Sequence, residues 1–436
     1  MFIIYNEAIE KAMREDPYIP PPDALTLTAT ADNSSVRLKK VGALLNTFEV
    51  DTGKGWTPYN LGTPITRNRG ETVKFRCVNH PTTQSASEYI NFEMSGVFEA
   101  SGDCNSLLSP NYASIRSLNG YRYAFYKLFC DCGSLTTAPT LPATTLAKDC
   151  YGAMFANCVS LTQAPALPAT TLAMGCYGSM FAGCAALTQV PSLPAMGLEE
   201  GCYGSMFANC VSMTQAPALP ATTLAKDCYR SMFYGCAALT QAPSLPSMEL
   251  ERGCYENMFK DCVSLTQAPS ALPAIDVAPH GYFSMFDGCT SLINAPTIAA
   301  TTCRIGSYNG ENFHLSYMFR NCTALANPPE IHLTTLAYHA LYFMFAGCTS
   351  LIRAPRLPAM TLEERCYYGI FSGCSSLTEA SIAATTTATN ALTNWLDGVA
   401  ASGTVYADPS LTLPTDSTSG IPSGWARHDI ADYPTT

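Results

Sequence analysis

The chain has 436 residues, enough for more than one domain, and only 13% of them are charged, with a formal net charge of −10. That charged share is about half the usual one. Without basic clusters the chain lacks the Lys and Arg that nucleic-acid binding needs to displace counterions. No run reaches the roughly 18 apolar residues of a membrane-spanning helix, so neither nucleic acid nor membrane insertion is expected.

Residues 1–24 are expected to form a short N-terminal helix and a Pro-rich connector. Ile3, Ile4, Ala8, Ile9, Ala12 and Met13 recur at helical spacing, and Pro17 and Pro20 to Pro22 end the run. The start has no basic residues and carries acidic ones early, unlike a secretory signal. Residues 25–103 change character. Leu25 to Ala29, Val36 to Leu38, Thr47 to Val50 and Thr72 to Arg76 alternate like strands. Asp32-Asn33, Thr52-Gly53-Lys54-Gly55 and Arg69-Gly70 read as the turns between them. An antiparallel, sandwich-like β-domain is predicted, with Trp56, Tyr59 and Phe75 in its core. Ile90 to Leu108 is expected to cover the open apolar end of the next segment, because the end of a repeat array has no neighbour to bury its face.

Residues 104–380 repeat. A cysteine recurs at positions 132, 158, 184, 210, 236 and 262 in steps of 26, then at 289, 322, 348 and 374 after steps of 27, 33, 26 and 26. Such a period predicts a repeat solenoid of about ten coils, each 26 residues long. In each coil Leu161, Ala164 and Leu167 should face inward, and Leu172, Cys176, Met180 and Phe181 should form the opposite wall on a helical turn. Proline recurs at 139, 165, 191, 217, 243, 269, 296, 328 and 355, which implies a break in the strand ladder there. This recurring cysteine is the second of two in most units, and the residue before it is always Gly, Asn or Asp, as left-handed backbone favours. Residues 381–436 read as a C-terminal cap, with a short helix at Thr385 to Ala401 carrying Trp395 and Leu396.

The units Ser160-Leu161-Thr162-Gln163-Ala164-Pro165-Ala166-Leu167-Pro168 and Cys176-Tyr177-x-x-Met180-Phe181-x-x-Cys184 resemble the BspA-type leucine-rich repeats. These occur in surface proteins of gut and oral bacteria, spirochaetes and mycoplasmas, and in phages and prophages. The resemblance implies a curved solenoid used for adhesion or recognition, without catalytic residues or cofactors.

Sixteen of the 20 cysteines fall in two repeat columns. Stacked one coil apart, they read as reduced thiols in a core rather than as disulfides. His314, His332 and His339 form the one near-cluster of histidines, without the carboxylates that would make a persuasive metal site. Glu199-Glu200 and Glu363-Glu364 share one repeat position and read as a solvated face.

Two features point to binding. Gln163, Gln189, Gln215, Gln241 and Gln267 fill one exposed column, continued by Asn294, Asn327, Arg353 and Glu379. This row reads as a stabilising amide ladder, by the precedent of stacked strands, or as a sugar- or protein-binding strip. The 33-residue step inserts seven residues around Cys303 to Gly310, which makes Tyr308 and Asn309 candidate ligand contacts, since insertions map to loops. The expected function is non-enzymatic recognition of a protein or glycan receptor. The first expectation is a phage virion component, tail or capsid decoration, mounted on other virion proteins through residues 1–24. The alternative is a BspA-like bacterial cell-surface adhesin whose export signal is not part of this sequence.

Overall fold

A computed structural model describes residues 23–43, 47–79, 84–305, 312–416 and 418–434. The expected helix and most of its connector, at residues 1–22, lie outside them.

The first part of the chain is antiparallel sheet. Its strands are β1 (Thr26–Ala29), β2 (Ser34–Val41), β3 (Phe48–Asp51), β4 (Trp56–Tyr59), β5 (Ile65–Arg67), β6 (Thr72–Cys77), β7 (Tyr89–Ser95) and β8 (Phe98–Ser101). They make one sheet ordered β4-β3-β6-β1-β8 and a second ordered β5-β2-β7. Burial alternates along β2, β3 and β6, as one packed face requires. The two inner faces meet where Phe75 sits edge-on to Phe92, 5.2 Å away. Tyr59 and Phe75 are buried as expected. Trp56 is not: its ring is half-exposed on the edge strand β4, beneath the Arg76 guanidinium at 4.2 Å.

A parallel strand, β9 (Leu135–Thr137), extends the larger sheet beyond β8 and so joins it to the repeats. Ile90 to Leu108 covers the first coil. Phe92 stacks on Phe129 at 5.0 Å, and its carbonyl accepts from the Cys132 thiol.

The remainder is a β-solenoid with a period near 26 residues, as in the bridge from Gln163 to Gln189. The inner wall expected on a helical turn is instead a run of overlapping β-turns. In the coil at 149–158, Tyr151, Ala153, Phe155 and Asn157 donate their backbone N–H groups to the next coil, at Cys176, Gly178, Met180 and Ala182. The residues between them, Gly152, Met154, Ala156 and Cys158, donate three residues back. Every fourth residue is left-handed: Asp149, Ala153 and Asn157 have φ of 51°, 51° and 60°. Ala153 and Asn157 thus take the third position of their turns, where type II geometry demands positive φ. Along this ribbon the amides alternate between local and cross-coil acceptors, so a coil without a neighbour is left with unpaired groups.

Side chains stack in register. Phe129, Phe155, Phe181, Phe207 and Phe233 lie parallel at 5.5 to 5.9 Å, and Tyr151, Tyr177, Tyr203, Tyr229 and Tyr255 form a second column at 5.7 to 6.0 Å. The second-column cysteines are buried thiols, each donating to the Phe carbonyl of the coil before, as Cys158 does to Phe129 at 3.1 Å. All 20 cysteines are free. Left-handed residues precede them as expected, from Asn157 and Gly183 to Gly347 and Gly373.

The turn ribbon continues past Cys374. Thr385 to Ala401 is not a helix: Asn390, Asn394 and Gly398 repeat the four-residue left-handed pattern, and Trp395 fills the core position. Three parallel strands, Glu379–Ile382, Gly403–Ala407 and Trp425–Asp429, close the array. The Trp395 and Trp425 indoles donate to the carbonyls of Gly420 and Ala400. Among the described residues no helix is long and apolar enough to cross a membrane.

Candidate functional site

The amide column lies where coils pair edge to edge. Parallel bridges join Gln163 to Gln189, Gln215 to Gln241, Gln241 to Gln267, Asn294 to Asn327, and Arg353 to Glu379. These pairings use backbone, and two residues after the first member of each pair a proline, from Pro165 to Pro355, lacks a donor for the ladder. The five glutamine side chains are exposed, and among the described residues no hydrogen bond joins them. The stabilising amide ladder is therefore absent from the glutamine stretch. It exists at one step, where Asn327 Nδ2 donates to Asn294 Oδ1 at 2.7 Å. One further along, Arg353 Nε stands 3.1 Å from Glu379 Oε1, an ion contact without hydrogen-bond alignment.

Beside this column the Pro-rich segments leave a line of recesses. One runs from Gln241 to Ala295, and the next, roughly 330 Å³, from Asn294 to His332. The largest, roughly 670 Å³, is floored by Asn327 to Ile331 and Arg353 to Arg356 and closed by Tyr433 and Pro434. That volume falls within the ordinary range of ligand sites, about 300–1,000 Å³. The C-terminal wall is fixed: Asp429 caps the short turn at Ile430–Asp432, and Tyr433 sits edge-on to Tyr406 at 5.2 Å. Neighbouring recesses share Asn294 and Ala295, then Asn327 to Glu330 and His332, so they form one groove.

The seven-residue insertion has defined ends. His314 is buried, with Nδ1 2.8 Å from the Asn312 carbonyl and Nε2 2.7 Å from that of Arg304. Burial holds its pKa below the usual value, opposed by those two carbonyls. Tyr308 and Asn309 lie outside the described residues.

Above this junction a cluster of rings replaces the small residues of earlier coils. Phe313 stacks on His339 at 4.5 Å, Tyr317 on Phe343 at 5.9 Å and Tyr342 on Tyr368 at 5.1 Å. Tyr317, His339 and Phe343 hold φ of 57°, 58° and 51°, at positions where the regular coils between Asp149 and Asn257 place Ala, Ser, Asn, Asp or Gly. Left-handed backbone at such bulky residues is strained.

The three histidines do not converge. His314 is inside, His339 lies in the ring cluster, and His332 lies on the groove 3.6 Å from Glu330. Among the described residues no group of three or more His, Cys, Asp or Glu is placed to hold a metal. The thiols are poor nucleophiles, since burial pushes Cys150 and Cys184 up to about 12 and half-buried Cys130 to about 11. Glu200 pairs with Lys226 across coils at 2.6 Å.

The groove brings Arg353 to the floor beside Asn327, with Glu379 against it, whereas Gln163 and Gln189 lie outside its recesses. Glu330, Arg356 and Tyr433 had no marker in the repeat pattern. Tyr433 in particular reaches the groove from the far end of the chain. The class that the backbone defines is a β-solenoid with an antiparallel N-terminal region. Comparison with known protein families, with curated proteins and with solved structures finds no match for this chain.

Proposed function

We propose that this chain is a non-enzymatic recognition protein, a BspA-type leucine-rich-repeat solenoid of about ten coils that holds its ligand along the amide-and-proline face. The observation that carries this is the groove itself. It runs across consecutive coils from Gln241 to Tyr433, on a scaffold whose interior is packed with stacked rings and thiols. Rigid coils hold side chains at fixed spacing, which limits the ordering entropy lost on binding. The strained rings at Tyr317, His339 and Phe343 support the same reading, since such backbone concentrates at functional sites. Placement on a phage virion rests on the motif resemblance, and residues 1–24 as the mount on the Pro-rich connector that joins them to the β-domain.

Labelled protein added to gut-bacterial cells and to immobilised mucin should bind saturably to at least one of them. Absence of saturable binding to both would sink the recognition reading. Capsid or tail genes beside the coding sequence are the expected setting. A cluster of surface-protein genes in their place would move the protein to the bacterial surface.

A further inference from the structure

We infer that the groove between Asn294 and Tyr433 is built for a neutral oligosaccharide. The inference rests on the recognition reading and names the ligand class of the same site. Three observations separate a sugar from a peptide. First, the walls are proline: Pro296, Pro328, Pro329, Pro355 and Pro358 line the two joined recesses. Proline has no N–H, so a peptide strand laid there would find few donors for the main-chain ladder through which sheet edges capture peptides.

Second, the polar groups are side chains with free valences. The bond from Asn327 Nδ2 to Asn294 Oδ1 fixes both amides and leaves the Asn294 NH₂ and the Asn327 oxygen to face a ligand. Arg356 makes no hydrogen bond or ion pair among the described residues. Donors and acceptors set side by side between apolar walls match the hydroxyls and C–H faces of a sugar. The Tyr433 ring, braced by Tyr406, closes the end.

Third, the charges balance. Arg353 is met by Glu379, and the Arg356 cation shares the groove with the Glu330 carboxylate, which is 88% exposed. A site with no excess of either sign favours an uncharged ligand over a polyanion.

The test sets the full chain against immobilised N-acetyllactosamine, galacto-oligosaccharides and manno-oligosaccharides, with a proline-rich peptide and heparin in parallel. Asn327→Ala and Arg356→Ala, both at exposed side chains, should each weaken saccharide binding by roughly tenfold or more, the loss expected for one polar contact. Gln163→Ala, outside the groove, should leave it unchanged; it and Arg356→Ala should keep the parent melting temperature, and Asn327→Ala, which loses one exposed hydrogen bond, should lower it only slightly. Saccharide binding that ignores both groove variants would overturn the site. Binding of the peptide or heparin instead, lost in the same variants, would overturn the ligand class and leave the recognition reading intact. A chain that takes none of these probes yet still binds cells would also overturn the sugar. One that binds neither probes nor cells would remove the recognition reading as well.

Discussion

Gly183 and Gly373 occupy the same repeat position, have nearly the same φ of 75° and 74°, and should respond differently to one methyl group. A Cβ at Gly183 would lie 2.3 Å from Asn157 Oδ1 in the preceding coil, whereas a Cβ at Gly373 meets nothing nearer than 3.6 Å. Left-handed backbone costs an L-residue about 1–2 kcal/mol, partly offset by the unfolded-chain entropy that Gly→Ala removes, about 0.4–1 kcal/mol. Both terms are common to the two sites. At Gly183 the Asn157 side chain must also swing away, breaking its 2.8 Å bond to Asp131 Oδ1. That adds about 1 kcal/mol. Equilibrium unfolding in urea, followed by circular dichroism, should therefore place Gly183→Ala roughly 1 kcal/mol below Gly373→Ala. In an Asn157→Gly background the excess should vanish, giving a coupling of about that size in a double-mutant cycle. Equal losses at the two glycines, or no coupling to Asn157, would refute the idea that neighbouring coils interlock through this column.

Asp287 is 3% exposed and accepts from Arg320 at 2.6 and 3.0 Å and from Lys260 at 2.9 Å. Asp287→Ala removes the buried acceptor of two part-exposed cations and should lower stability by about 1–3 kcal/mol in the same urea assay, and an unchanged midpoint would show these contacts to be idle. Phe207→Ala removes one ring from the middle of a column and should cost about 3–5 kcal/mol, read as a lower urea midpoint. Burial, then the Arg365 charge, pushes His339 down to about 4. Its folded pKa is depressed, so its contribution is present above the unfolded value near 6.5 and is lost as pH falls through 4. Stability should drop between pH 7 and 4, less steeply in His339→Asn, and parallel slopes would discount it. Thiol titration of denatured, unreduced protein should recover most of the 20 cysteines, whereas recovery of only a few would mean the columns are oxidised.

Much of the solenoid was legible because one side chain recurs per coil and each choice has a local physical reason. Asn157, Gly183, Asn209 and Gly235 announce left-handed backbone by their type. The turn ribbon was not legible, because Tyr177, Met180, Phe181 and Cys184 are spaced by three and four. That spacing buries one face equally well in a helix or in overlapping β-turns. The further left-handed positions are held by Ala153, Ser179 and Ser205, types that carry no such signal. Trp395 and Leu396 misled in the same way. Trp56 was misplaced because a strand pattern does not say which strand lies at the edge. The groove was hidden for a different reason: its wall at Tyr433 joins its floor at Asn327 only through the tertiary fold.

The same steric fit bears on which coils are free to vary. Through the regular coils Asx and Gly alternate before the second cysteine, and each Asx oxygen lies over the next coil's glycine: Asn157 over Gly183, Asn209 over Gly235, Asp261 over Gly288. A second column does this at Asp149 over Gly175 and Asp227 over Gly253. Substitution there is confined, because a side chain at the glycine strikes the coil behind it. The alternation lapses toward the C-terminal end. Asn321 covers Gly347, but Gly347 is followed by Gly373 and then Gly398, where an added Cβ would meet only the backbone of the preceding glycine, at 3.4 to 3.6 Å. Over the coils leading to that lapse the chain places its seven-residue insertion, its strained aromatic cluster and the largest recess of the groove. A solenoid held together by nearest-neighbour contacts can vary coils singly. Here the variation gathers in the coils just before the alternation lapses, while the regular coils before them keep one interlocked frame.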